Sequence, residues 1–332
     1  MAAQFSDGGH DAVKVVGQAS AKVDIPNNGR TSMNLPGSHA SRELAMDFAA
    51  SLLDDVSCLV SPPDICVRIF DLIESEHASA QKIGEVIAQD PSLTARLLKL
   101  VNSSFYNLAR PVDTVSRAIT IVGIRELYAL VIAVSAIKSF SNLPNRLVNI
   151  DTFWRHGIYT GLIGRNLARR ARILHPERLF VAGLLHDIGS LVLYNRIPET
   201  AAELLLMSNG DENVLYQAEL GELGFTHADL GGALLASWKL PESLQEAVCY
   251  HHIPSVTDSS ALEAAIVHIA DNLANRSELG GFCEKPSTES RIDAKAWEVA
   301  GLDAAQVDQD EIMGEAGLQF SETAGLLLAQ NQ

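Results

Sequence analysis

Apolar residues recur along most of the chain at three- and four-residue spacing instead of alternating, which is the pattern of helices with one buried face. Leu93, Leu97, Leu98 and Val101 form one such stripe, Val115, Ala118, Ile119 and Val122 another, and Phe153, Ile158 and Leu162 a third. Chemical punctuation separates the stripes. Asp90-Pro91 offers a side-chain cap followed by proline at the first helical position, where a missing N–H does no harm. Asp113 or Thr114 can cap the next stretch, and Gly123 can end it. Asp151 can cap the helix that carries Phe153 and His156. Pro176 is expected to open a helix running into His186-Asp187 and stopping near Gly189, and Pro241 to open one carrying Cys249 to His252. No period-two alternation persists, so the expected fold class is all-α.

Within the helix containing His156, Gly157, Gly161 and Gly164 follow one another at i, i+4, i+7. Each costs about 1 kcal/mol relative to alanine in a helix. Their placement points to close approach of another helix, or to room for a site. Residues 1–42 are rich in Gly, Ser, Asn and Asp with no sustained apolar period, and read as a flexible tail. Gly280-Gly281 and Pro286-Ser287 mark a second break, and 281–332 read as a short helical appendage with patches at Ala294–Ala300 and Ala316–Leu328.

Composition narrows the function classes. Of 332 residues, 47% are hydrophobic and only 6% aromatic, a globular balance that favours helices over strands. The formal net charge of −16 argues against a nucleic-acid partner, since phosphate neutralisation needs a basic face. Arg165, Arg169, Arg170 and Arg172 form the one dense basic stretch, read as a solvated helix face. The four cysteines, Cys58, Cys66, Cys249 and Cys283, make no C-x-x-C pair, and the first thirty residues lack an apolar signal core. The longest apolar run, Leu127 to Ile137, is interrupted by Ser135. It falls short of the roughly 20 residues that a membrane span needs. A reduced, cytoplasmic protein without a membrane segment is expected.

Metal-binding residue types gather in the second half: His156, His186, Asp187, His227, His251, His252, His268 and Asp271. Imidazole with carboxylate suits Fe, Mn, Ni, Zn or Mg better than it suits a soft thiolate metal. Adjacent His-Asp and His-His pairs at helix ends can reach one ion, or two ions about 3.5–4 Å apart. His268 reads as a hydrogen-bonded core residue, because Asp271 one turn later is the better ligand; His175, His77, His39 and His10 are read the same way.

The stretch Phe180-Val-Ala-Gly-Leu-Leu-His-Asp-Ile-Gly-Ser190 resembles the signature of the HD superfamily, and Phe153-Trp-Arg-His156 its first ligand segment. The run from His227 through Trp238-Lys-Leu-Pro241, followed by His251-His252, resembles the HDOD branch in particular. So do Gln89-Asp-Pro-Ser-Leu-Thr-Ala-Arg-Leu-Leu-Lys-Leu-Val-Asn-Ser103, Ala118-Ile-Thr-Ile-Val-Gly123 and Val267-His-Ile-Ala-Asp271. The resemblance covers about residues 55 to 275. It implies an HD-superfamily-like helical domain over 43–280, with an additional N-terminal helical lobe at 55–145 and an HD-like lobe at 146–280. It implies a bacterial regulatory module acting through contacts with signalling proteins.

By the same resemblance, His156, His186, Asp187, His227, His251, His252 and Asp271 match the metal positions of HD-GYP phosphodiesterases, giving a mononuclear or binuclear divalent centre. Two departures bear on activity. Ser190 stands where catalytic relatives often carry lysine, and Ile253-Pro254-Ser255 follows the His pair with no Gly-Tyr-Pro element. No catalytic residue is therefore assigned. A metal-dependent phosphohydrolase or nucleotide phosphodiesterase is the alternative to the regulatory reading, and a nucleotide bound without cleavage is a third.

Overall fold

A computed structural model describes residues 45–53, 64–75, 79–106, 108–141, 146–255, 261–282 and 292–328. Among these the only regular structure is helical, as the periodicity requires. The expected tail at 1–42, together with His10, His39, His77, Cys58 and Cys283, lies outside the described residues.

Helix α1 covers 45–53, and α2 (Asp64–Glu74) and α3 (Ala80–Ile87) follow it. In α4 (Pro91–Val101) the Asp90 carboxylate accepts the Leu93 N–H at 3.0 Å, with Pro91 in the first turn. In α5 (Val115–Val122) Thr114, and not Asp113, is the cap: its hydroxyl accepts from Arg117 N–H. At Gly123, whose φ is +102°, the chain turns by 118° into α6 (Ile124–Ser141). Every residue from Leu127 to Ile137 is buried there, so the longest apolar run is a core helix covered on all sides. No single helix among the described residues is long and apolar enough to cross a membrane.

The long helix α7 (Ile150–Arg170) is capped by Asn149, whose Oδ1 accepts from Asp151 N–H and Thr152 N–H. Asp151, expected as the cap, is therefore inside the first turn. Helix α8 (Glu177–Leu185) packs on α7 backbone to backbone. A Cβ on Gly157 would lie 2.6 Å from the Leu184 carbonyl oxygen, and one on Gly161 2.5 Å from that of Phe180. The glycines of α7 thus pay for helix-helix approach, as their spacing suggests.

The expected helix through His186-Asp187 is corrected: it ends at Leu185, and α9 (Ile188–Arg196) starts after a two-residue break. Gly189 is inside α9 and ends nothing. The hairpin of α10 (Pro198–Ser208) and α11 (Glu212–Leu223) leads to α12 (His227–Ser237), which begins with a reciprocal capping box between Thr226 and Asp229. Helix α13 (Glu242–Cys249) stops short of the two histidines expected on it. His251 and His252 occupy the turn that follows, closed by Ile253 N–H donating to Tyr250 O.

Helices α14 (Ala261–Ala274), α15 (Ala294–Val299) and α16 (Gln309–Leu328) complete the fold. Helix α16 packs along α7 and reaches α4 and α6. Tyr159 donates to Met313 O, and its ring meets that of Phe320 edge-on. Here the basic stretch departs from expectation. Arg165 is fully buried, stacked 3.8 Å over Phe105, and donates to Phe105 O and Gln319 Oε1 at 2.7 Å each. Arg170 pairs with Glu311 and Glu315. The guanidinium of Arg165 is drawn inward because carbonyl and amide oxygens await it there, so the stretch is not one solvated face. His175, expected in the core, is exposed, at a left-handed φ of +59°.

Candidate metal centre

The break between α8 and α9 turns His186 and Asp187 toward the helices packed around them. His156 projects from α7 and Asp271 from α14. His227 is the first residue of α12, and His251-His252 lie in the turn after α13. All seven residues expected from the sequence converge on one cluster, six of them buried and His252 half-buried.

The imidazoles are aimed by their outer nitrogens. Nδ1–H of His156 donates to Gly280 O, that of His186 to Gly183 O, and that of His251 to Val248 O, at 2.6–2.7 Å. Nδ1–H of His227 donates to Glu219 Oε2 at 2.7 Å, and the same oxygen accepts the His227 backbone N–H. A carbonyl or carboxylate acceptor fixes the tautomer, so all four Nε2 atoms point inward. They meet in pairs: His156 and His186 at 3.2 Å, and His227 with His252 at 3.0 Å. Two neutral imidazole lone pairs repel at such distances, so each contact requires a proton or a cation between the rings.

Asp187 lies between the pairs. Its Oδ2 is 3.3 Å from His186 Nε2 and 3.6 Å from His156 Nε2, while Oδ1 is 3.4 Å from His227 Nε2. Neither oxygen has a hydrogen-bond partner, and His251 Nε2 has none either. Buried polar atoms are seldom left so. Orphaned oxygens, inward Nε2 atoms held by outer hydrogen bonds, and a mixed nitrogen-oxygen donor set all fit a divalent transition ion or Mg.

Charge is strongly redistributed. Burial lowers the His227 pKa, but the Glu219 carboxylate outweighs it and holds the ring up to about 9. Burial likewise opposes protonation of His186, and Asp187 and Asp271 overcome it and raise its pKa. Burial and neighbouring imidazoles keep His251 and His252 well below the usual range. Burial raises Asp271, but hydrogen bonds from His156 and His186 win and hold it well below an ordinary carboxylate.

Two carboxylates were not found from the sequence. Glu219, near the end of α11, orients His227. Glu212, the first residue of α11, lies among the inner donors, and burial with Asp271 and Asp187 nearby pushes its pKa well up. Neither has a motif spacing; only the hairpin fold brings α11 to the cluster. His268 stays outside it, donating to His251 O and accepting Asp293 N–H, as a core histidine does.

Similarities to known proteins agree with this architecture. The HDOD domain family matches residues 59–254. An uncharacterized protein of Treponema pallidum (strain Nichols) is 27% identical over 210 residues, which is 62% of this chain. The match takes in about two fifths, 40%, of that relative's length. The crystal structure of an HDOD domain protein of unknown function from Geobacter sulfurreducens is similar at a TM-score of 0.66 and 26% identity, covering 86% of this chain and 97% of that one. A proposed phosphohydrolase from Shewanella amazonensis SB2B is similar at a TM-score of 0.62 and 26% identity, covering 84% and 98%.

Proposed function

The chain belongs to the HDOD family, and on that premise we propose that it is a signal-transduction module, acting through contacts with other signalling proteins and built around a divalent-metal centre. The enclosure of the centre carries this reading. His186 and His251 have no exposed surface, and Asp187 and Asp271 have 3% each. A hydrolytic ion needs an open position for water and substrate. Within the cluster, imidazoles and carboxylates shift one another's ionisation. Ser190, at the position of the expected lysine, is itself buried. The α10–α11 hairpin, which carries Glu212, exposes Leu206, Met207 and Val214, an apolar surface suited to a protein partner.

The test joins metal analysis to output in the native cell. Purified protein should carry near-stoichiometric transition metal, and Asp187→Ala should lose metal and melt lower, because bound metal stabilises the native state. Signalling output should survive that substitution once protein abundance is matched. A wild type that cannot be loaded with Fe, Mn, Ni or Zn overturns the metal centre.

A second reading, a metal-dependent phosphohydrolase or nucleotide phosphodiesterase, is favoured by a cavity of about 300 Å³ beside the cluster. Phe153, Tyr194 and Phe282 line it; the Phe282 ring stands edge-on to His156, and the buried Tyr194 hydroxyl has no partner. A divalent ion would supply activated water and charge to clamp phosphate. A nucleotide held without cleavage would use the same cavity. Turnover of a phosphodiester by wild type, with output lost in abundant Asp187→Ala protein, would establish this reading instead.

A further inference from the structure

The α10–α11 hairpin has two faces with different occupants. Only Asn209, Gly210 and Asp211 join its helices, with Asn209 and Gly210 at left-handed φ values of +48° and +83°. So short a connection makes the helices antiparallel neighbours. Counting outward from Gly210 brings Leu206 level with Val214, and Ala202 level with Ala218. Leu206 is 81% exposed and Met207 57%. With Val214 and Leu220 they make four of the twelve large apolar side chains exposed among the described residues. The inner face offers them no place, because Ala201, Leu204 and Leu215 already fill it. That face is also tied down: Glu219 accepts from His227, Glu212 accepts from Asn275, and the Tyr216 ring lies 4.6 Å from that of His252. A hairpin fixed from within presents its outer side chains without further ordering on contact.

Charge selects the occupant of the outer face. From Pro198 to Leu223 there are six acidic residues and no Lys, Arg or His. Glu212 and Glu219 are buried on the inner side, while Glu199, Glu203 and Glu222 are exposed toward the base of the hairpin and Asp211 is half-buried at its tip. A second copy docking through the same face would bring these carboxylates against their own equivalents, since a two-fold interface meets itself. An anionic membrane surface would be repelled in the same way. A helix with an apolar stripe and flanking Lys or Arg satisfies both the apolar side chains and the acidic base. The small, half-buried Ala202 and Ala218 leave room for it between the two helices.

We infer that the outer face of α10–α11 docks a basic amphipathic helix of a partner protein. The inference rests on the reading of the chain as a protein-contact module and supplies its surface and partner chemistry. The probe is a Leu/Lys amphipathic helical peptide, compared with a Leu/Glu peptide of the same spacing at about 0.15 M salt. Calorimetry measures affinity with the full chain, and hydrogen exchange locates the footprint. The Leu/Lys peptide should bind saturably and slow exchange across α10 and α11, and the Leu/Glu peptide should not. Leu206→Ser with Met207→Ser should weaken binding at least about tenfold, since both side chains lose apolar burial. Glu203→Lys with Glu222→Lys should weaken it several-fold and flatten its salt dependence. A footprint elsewhere, equal binding of the two peptides, or unchanged affinity in the serine variant overturns the inference. So does wild type that self-associates in sedimentation through Leu206 and Met207, because the face then belongs to a second copy. In the native cell, loss of output in serine-variant protein of matched abundance supports the surface. Intact output there overturns this surface and leaves the protein-contact reading standing. Phosphodiester turnover by wild type, equal in the serine variant and accounting for the output, overturns both.

Discussion

The contact between α9 and α12 allows a sharp test of how the fold holds its cluster. A Cβ added at Gly189 would lie 2.0 Å from His227 O and 2.6 Å from Gly231 N. Both are backbone atoms, so no side chain can rotate away. Restoring an ordinary contact of about 3.4 Å requires the helices to separate by roughly 1.4 Å. His227 is at the point being pushed, and its Nε2 is 3.4 Å from Asp187 Oδ1, so the donor geometry opens with the helices. Overpacking costs about 1–3 kcal/mol when side chains can adjust; a backbone clash on both sides belongs at or above the upper end. The control is Gly221→Ala, the same chemical change in α11, where nothing lies within 4 Å. There alanine should stabilise by about 0.5–1 kcal/mol through helix propensity alone. Thermal melts and metal analysis of both variants give the comparison. Gly189→Ala should melt several degrees lower and lose metal affinity, while Gly221→Ala should melt at or above wild type. Equal melting temperatures and full metal content in both variants would refute the argument.

Arg165→Met should destabilise by about 2–3 kcal/mol, since Phe105 O and Gln319 lose a buried donor, and Arg165→Lys should not rescue it, because an ammonium cannot reproduce the planar fork over Phe105; a melt within about 0.5 kcal/mol of wild type would contradict this. Metal affinity should rise about tenfold per pH unit from pH 7 and flatten near 9, because His227 in the metal-free protein keeps its proton up to about 9 and an entering ion must displace it. The sign for stability is opposite: the His227–Glu219 attraction is fully present in metal-free protein below the ordinary histidine pKa of about 6.5, and is lost as pH rises through about 9. Chelator competition at pH 7, 8 and 9 checks the first statement, and a flat profile counts against it. Burial pushes the Cys66 thiol up to about 11 and that of Cys249 to about 12, so both should resist iodoacetamide at pH 8 until the protein is unfolded; peptide mapping that finds either labelled at once in the native state would show that assignment to be mistaken.

Local chemistry was legible wherever it is written in neighbouring residues. Asp90-Pro91 and Gly123 mark their helix boundaries because capping and φ preference are short-range effects. The α7 glycines announce a close neighbour for the same reason, and the seven expected cluster residues sit in recognisable segments. What was missed depends on packing. Glu212 and Glu219 are ordinary helix glutamates until the α10–α11 hairpin brings them to Asn275 and His227. Asn149 outcompetes Asp151 because the helix starts earlier than the apolar stripe suggests. The break at His186-Asp187 has no proline or terminal glycine to signal it. Arg165 looks like its solvated neighbours, and only the carbonyl of Phe105 and the amide of Gln319, 60 and 154 residues away, explain its burial.

The placement of α16 bears on how the molecule is made. This helix is translated after every element it covers, yet it supplies Gln319 to Arg165 and Glu322 to Ser104, and buries Ile312, Ala316, Phe320 and Leu327. During synthesis, then, the outer face of α7 and the turn after α4 wait for their cover on a nascent chain that already contains all the cluster residues. Arg165 meanwhile lacks one of its two acceptors, and Tyr159 lacks both Met313 and Phe320. Vectorial folding can assemble the cluster before the ribosome has finished, but the seam of α7 with α4 and α6 is covered only after the last described helix has left the exit tunnel.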